Sequence, residues 1–233
     1  MSAIPQTADI PETADTLHLE RVYVWELPVR LVHWLLFLSI LVLAGTGYYI
    51  GNPFFSGPLV MARIRTVHLA TSIVFTLAVL VRVYWAFAGN RYARWSEFIP
   101  VTAERLRSLW KSTAFYTFLS REPVEYAGHN GLAGLTYAVI YLVYAVMITT
   151  GLALYTVDAG PGSPMHVFAF LIPIYGGLQI ARLIHHIGMW VILIFMVAHV
   201  YFVVLYSTVE RLGIFDSIFS GFKFEPRRKA PKP

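Results

Sequence analysis

Charged positions along this chain leave four long apolar runs between them. No Asp, Glu, Lys or Arg occurs between Arg30 and Arg63, between Arg65 and Arg82, between Glu125 and Asp158, or between Arg182 and Glu210. Membrane-crossing helices are expected at about 30–50, 66–88, 132–156 and 183–209. Each run reaches the roughly 20 apolar residues that a spanning helix needs. The runs are continuous and not ten-residue alternations, which points away from a β-barrel. The expected fold is therefore all-α, a four-helix transmembrane bundle. Gly51-Asn52-Pro53 and Gly57-Pro58 mark the turn after the first run. Arg82, in the last third of the second, is expected to reach the interface by snorkelling.

Composition agrees: the chain is 57% hydrophobic and 13% charged, about half the charge of a soluble domain. Basic residues set the orientation. Arg21, Arg30 and Arg82, six more in the segment between the second and third runs, and six in the carboxy-terminal segment make 15 of the 18 Lys and Arg. Only Arg63, Arg65 and Arg182 fall on the other side. The positive-inside rule then puts both termini in the cytoplasm. The same topology accounts for the basic balance, so nucleic-acid binding is not implied. Residues 1–20 lack the basic and apolar regions of a cleavable signal and are expected to form a mobile polar tail. Residues 21–212 would form the four-span domain, and 213–233 a basic cytoplasmic tail.

There is no cysteine, which excludes disulfides, thiolate-held iron–sulfur clusters and covalently attached c-type haem. The chemistry falls instead on histidines. His33, His68, His185 and His199 lie within the apolar runs, and ionisable side chains at membrane depth mark functional sites. His185 and His199 are 14 residues apart, which is roughly 1400° of helix and about 21 Å of rise, so they share one face at two depths. With both termini inside, His68 and His185 are level near the outer side, and His33 and His199 nearer the inner side. Two depth-matched pairs suit axial ligation of two haems. His186 competes with His185, but its direction is about 140° away from His199; it is the alternative, or meets a partner. Met147, Met189 and Met196 are ligands only in principle, and His18, His129 and His166 lie in tail or loops.

Gly45, Gly47, Gly134 and Gly151 could admit a flat macrocycle or serve helix contacts. Arg30, Arg65 and Arg182 at run ends could meet propionates or simply snorkel. The segment 89–131 mixes aromatic and basic residues, as expected of an amphipathic stretch on the cytoplasmic membrane surface. The stretch 157–182 is rich in glycine and proline yet carries Phe168, Phe170, Leu171 and Tyr175, which suggests a docked partner or a lid. No internal repeat is evident.

Several runs resemble the b-type cytochrome subunit of membrane-bound nickel–iron uptake hydrogenases. They are Val24-Trp25-Glu26-Leu27-Pro28-Val29, Arg30-Leu31-Val32-His33-Trp34 and Thr46-Gly47-Tyr48-Tyr49-Ile50-Gly51. Further ones are Arg82 to Asn90 with Tyr92-Ala93-Arg94-Trp95, and Arg182 to Trp190 followed by His199-Val200-Tyr201. The resemblance covers about 20–212 and implies a cytochrome b with two haems b. It implies His68 and His185 as ligands of the outer haem, and His33 and His199 of the inner. It implies an electron-transfer subunit, not an enzyme by itself. The expected partners are the hydrogenase small iron–sulfur subunit with its membrane anchor helix and the large subunit, docked on the periplasmic side of a bacterial inner membrane. Electrons from hydrogen oxidation would go to a quinone near the inner haem, with His129, Glu97 and Tyr126 as loose candidates for proton delivery. Membrane cytochromes of formate dehydrogenases and thiosulfate- or tetrathionate-type reductases share this plan. A different class is a non-redox membrane anchor or a small transporter whose histidines relay protons.

Overall fold

The computed structural model describes residues 19–54, 57–99, 102–121, 130–210 and 212–226. Residues 1–18 of the expected 1–20 tail, with His18, and the stretch holding Tyr126 and His129 lie outside them, whereas Leu19 and Glu20 belong to a strand. Four helices are long and apolar enough to cross a membrane: α1 (Leu27–Gly51), α2 (Pro58–Ala88), α4 (Gly131–Asp158) and α6 (Leu178–Glu210). Shorter elements are strand β1 (Leu19–Tyr23), α3 (Ala103–Tyr116), α5 (Leu171–Ile174), α7 (Ile214–Ser220) and strand β2 (Phe222–Pro226). The molecule is an all-α transmembrane bundle with a small β-ribbon at one end.

Local chemistry sets the helix boundaries. Pro28 and Pro58 open α1 and α2 within their first two positions, where a missing N–H costs no hydrogen bond. Gly57 precedes α2 at φ 145°, a conformation that glycine tolerates. The Asn130 side chain caps α4 by accepting from the Ala133 N–H at 2.8 Å. Helix α2 begins eight residues before the expected 66, because Arg63 and Arg65 do not break a helix; they ride on its exposed first turns. There Arg65 pairs with Asp158 at the end of α4, N to O 3.0 Å.

Helix α1 packs along α2 and α4 along α6, whereas α2 meets α4 only lightly. The shared core lies at mid-height: Val32, Leu36 and Ile40 from α1, Phe75, Ala78 and Val79 from α2, Ile140 and Tyr144 from α4, and Ile192 from α6. The Phe75 and Tyr144 rings meet edge to face at 5.0 Å, a favoured aromatic geometry.

Both described ends of the chain meet at one end of the bundle. Strands β1 and β2 pair antiparallel, Leu19 opposite Pro226 and Tyr23 opposite Phe222. The Gly221 carbonyl accepts from the Val24 and Trp25 N–H groups, with Gly221 itself left-handed at φ 88°. Trp25 Nε1 donates to Ser217 Oγ at 3.1 Å, and Arg30 donates to the Phe219 carbonyl. Residues 214–226 are thus folded back onto the entrance of α1. This is called the ribbon end below, and the opposite end the far end.

Arg82 departs from expectation. It does not snorkel but is 6% exposed, donates to the Ala93 carbonyl at 3.2 Å and lies over the Phe98 ring at 4.9 Å. The chain after α2 folds back and covers it. That segment is pinned in turn. Arg105 pairs with the Glu97 carboxylate and donates to the Glu97 carbonyl at 2.7 Å, and Gly131 N–H donates to Ser108 Oγ at 3.0 Å. On α3 the small Ser108 and Ser112 are buried, whereas Leu106 and Trp110 are exposed. At the far end, a 3-10 turn (Pro164–Phe170) leads into α5 and leaves Val167, Phe170 and Ile174 exposed.

Candidate functional site

Two pairs of imidazoles face each other inside the bundle. At the ribbon end, His33 from α1 and His199 from α6 have ring centroids 6.2 Å apart, planes at 53°. At the far end, His68 from α2 and His185 from α6 are 6.5 Å apart, planes at 61°. All four are half-buried. The heptad spacing of His185, Ile192 and His199 sets both depths on one face of α6, with the apolar core between them. His186 points elsewhere: it is exposed and accepts from Trp190 Nε1 at 3.2 Å.

The far-end rings are held alike. Thr46 Oγ1 donates to the Val42 carbonyl at 2.6 Å and lies 2.9 Å from His68 Nδ1. Thr150 Oγ1 donates to the Val146 carbonyl at 2.7 Å and lies 2.8 Å from His185 Nδ1. A threonine hydroxyl has one proton. With that proton on the helix carbonyl, each oxygen stands as an acceptor toward the imidazole, an arrangement that matches a ring protonated on Nδ1. Nε2 then keeps the free lone pair. The residues that follow are glycines, and a Cβ on Gly47 would lie 3.3 Å from His68 Cε1, one on Gly151 3.4 Å from His185 Cε1. At the ribbon end, His199 Nδ1 lies 3.2 Å from the Tyr137 hydroxyl, and His33 Nδ1 is buried without a hydrogen-bond partner among the described residues.

The other candidates fall into place around these pairs. Gly134 packs against the Glu97–Phe98 backbone, and Gly45 faces nothing within 4 Å. The Met147 sulfur lies against Gly188, and Met196 packs on the core. Met189 is buried, 4.0 Å from the site of a Gly47 Cβ. Arg182 donates to Gln179 Oε1 at 2.9 Å, and His166 approaches the Ala159 carbonyl at 3.3 Å. Of the proton candidates, only Glu97 is described, and it is engaged by Arg105. Reading the sequence alone missed Thr46, Thr150 and Tyr137 as partners of the rings; a Thr-Gly dipeptide at histidine depth in two runs was the available signal.

Two imidazoles per centre suit a metal that arrives with most of its coordination filled. Among the described residues no group of three or more His, Cys, Asp or Glu could enclose a bare ion, and a protein-built zinc site takes three or four ligands. A haem iron brings its porphyrin nitrogens and takes axial ligands from the protein. With a metal–imidazole bond of about 2.0–2.1 Å and a ring centre roughly 1.1 Å behind the nitrogen, rings sharing one metal stand about 6.3 Å apart. The observed 6.2 and 6.5 Å fit that spacing.

Comparison with known proteins agrees in kind. A family model described as prokaryotic cytochrome b561 matches residues 24–221. A protein of Rhizobium leguminosarum bv. viciae named probable Ni/Fe-hydrogenase B-type cytochrome subunit is 39% identical over 211 residues, 87% of this chain and 88% of the relative. The protein of that name from Azotobacter vinelandii is 38% identical over 211 residues, with the same coverage. The probable Ni/Fe-hydrogenase 1 B-type cytochrome subunit of Escherichia coli K12 is 32% identical over 212 residues, 86% of this chain and 90% of the relative.

Proposed function

The chain belongs to the prokaryotic cytochrome b561 family, and on that premise we propose that it is a dihaem cytochrome b. In this reading it anchors a nickel–iron hydrogenase at the membrane and passes electrons from hydrogen oxidation to quinone. The observation that carries it is the matched spacing of the two imidazole pairs. His68 and His185 hold the far-end haem, and His33 and His199 the ribbon-end haem. When bound, haem supplies one-electron redox chemistry.

The chain's own residues position and tune that chemistry. Neutral imidazoles add no charge to an iron porphyrin buried in lipid. The Nδ1–H bonds at Thr46 and Thr150 keep Nε2 available and fix each ring's direction. The distribution of basic residues supports a cytoplasmic ribbon end, and with it a quinone site near His33 and His199, where protons are drawn from the cytoplasm. The far end then faces the periplasm. Its exposed Val167, Phe170 and Ile174 support docking of the hydrogenase small subunit and its anchor helix there, with the large subunit beyond. The relatives' names favour hydrogenase over the formate or thiosulfate systems as the partner.

The test is a reduced-minus-oxidised spectrum of freshly solubilised, haem-replete protein, together with recovery of the hydrogenase subunits on an affinity tag. A b-type α-band that appears on adding hydrogen to the recovered complex is the expected result. No such band under dithionite ends the reading.

A further inference from the structure

Thr46 and Thr150 form a matched set. They come from different helices, α1 and α4, and serve histidines on two others, α2 and α6. In each case the hydroxyl also reaches the carbonyl four residues back, and with its proton there the oxygen faces the imidazole as an acceptor. In each case a glycine follows, leaving room for the ring against the helix. The ribbon-end pair has no such arrangement. Tyr137 is the sole hydroxyl on His199 among the described contacts, at the longer 3.2 Å, and the His33 Nδ1 atom has no acceptor among the described residues.

An acceptor on Nδ1–H pulls the proton outward and makes Nε2 a stronger donor to the metal. A more basic ligand stabilises the oxidised metal over the reduced one. We propose that Thr46 and Thr150 are positioning residues that hold the far-end metal group at a lower midpoint potential than the ribbon-end group. They thereby make electron movement from the far end to the ribbon end downhill. This rests on the dihaem reading and adds to it a source of direction built into the chain.

Potentiometric titration of the visible spectrum, on the purified full-length haem-loaded protein, tests it. The component lost in His185→Ala identifies the far-end group. Thr46→Val and Thr150→Val are expected to move that component upward, the double variant further, and the other component not at all. Thr46→Ser and Thr150→Ser keep the oxygen and are expected to return it to the parent value. Thr149→Val is the control, because Thr149 meets Tyr175 and not a histidine; it is expected to titrate like the parent. An unmoved far-end midpoint in both valine variants at full occupancy overturns the proposal, as does an equal shift in Thr149→Val. If a valine variant loses the pigment, the serine variant decides. Parental occupancy and midpoint support the hydroxyl, and loss there too overturns it in favour of side-chain bulk. Failure of the dihaem reading looks different: His68→Ala and His185→Ala would then keep the parent's full pigment.

Discussion

The two ends of the bundle solve one problem with different materials. At the far end both histidines rest on threonines whose protons are already committed to helix backbone, and glycines make the space. At the ribbon end one histidine meets a tyrosine and the other meets no acceptor among the described residues, but a buried arginine and a folded-back segment close the bundle nearby. A site held by small, locally satisfied groups is fixed by its helices alone. A site closed by a segment from beyond the helix depends on that segment staying docked.

The largest expected effects fall on the four histidines proposed as haem ligands. His68→Ala or His185→Ala should cost the far-end haem, and His33→Ala or His199→Ala the ribbon-end haem, each leaving the other. His186→Ala should keep both. Haem extracted per protein measures this, and loss of both haems from any single variant would break the independence of the ends. Next comes Arg82→Met. It removes a buried charge-assisted hydrogen bond and a cation–ring contact, and should lower stability in detergent by about 1.5–3 kcal/mol, with proteolysis appearing first between α2 and α4. A parental melting temperature would show that the closing segment is held by other contacts.

Gly47→Ala should reduce far-end haem occupancy, because the new methyl would meet the His68 ring edge at 3.3 Å, tighter than ordinary contact, whereas Gly151→Ala, at 3.4 Å from the His185 ring edge, should reduce it less. Gly45→Ala faces open space and should be silent in the same haem assay. Equal behaviour of the three would remove the ring contact as the reason for glycine. Smallest is Arg65→Ala, which breaks a pair 49% and 58% exposed and should change thermal stability by about 0–1 kcal/mol, less at high salt.

The four spans were legible because lipid demands an unbroken apolar run, and charge breaks it visibly. Histidine depth was legible for a related reason: α6 carries His185 and His199 at a spacing that fixes face and level together. What escaped was everything decided by a neighbour. Threonine in a spanning helix ordinarily bonds its own backbone, and Thr46 and Thr150 do so too; only the imidazole on the other lone pair sets them apart. Arg82 reads as an interfacial residue until Ala93 and Phe98, past the end of its helix, turn back to cover it. The ribbon escaped as well, since Leu19–Tyr23 is too short to declare itself as a strand without Phe222–Pro226 beside it.

That ribbon also sets a clock on biosynthesis. Its strands are separated by about 200 residues, so at roughly 5–20 residues per second the first must wait on the order of 10–40 s for the second to leave the ribosome. All four spans are made before the clasp can shut. A prematurely terminated chain would insert and yet stay unlatched, its amino-terminal strand unpaired and open to proteases that the finished protein hides from.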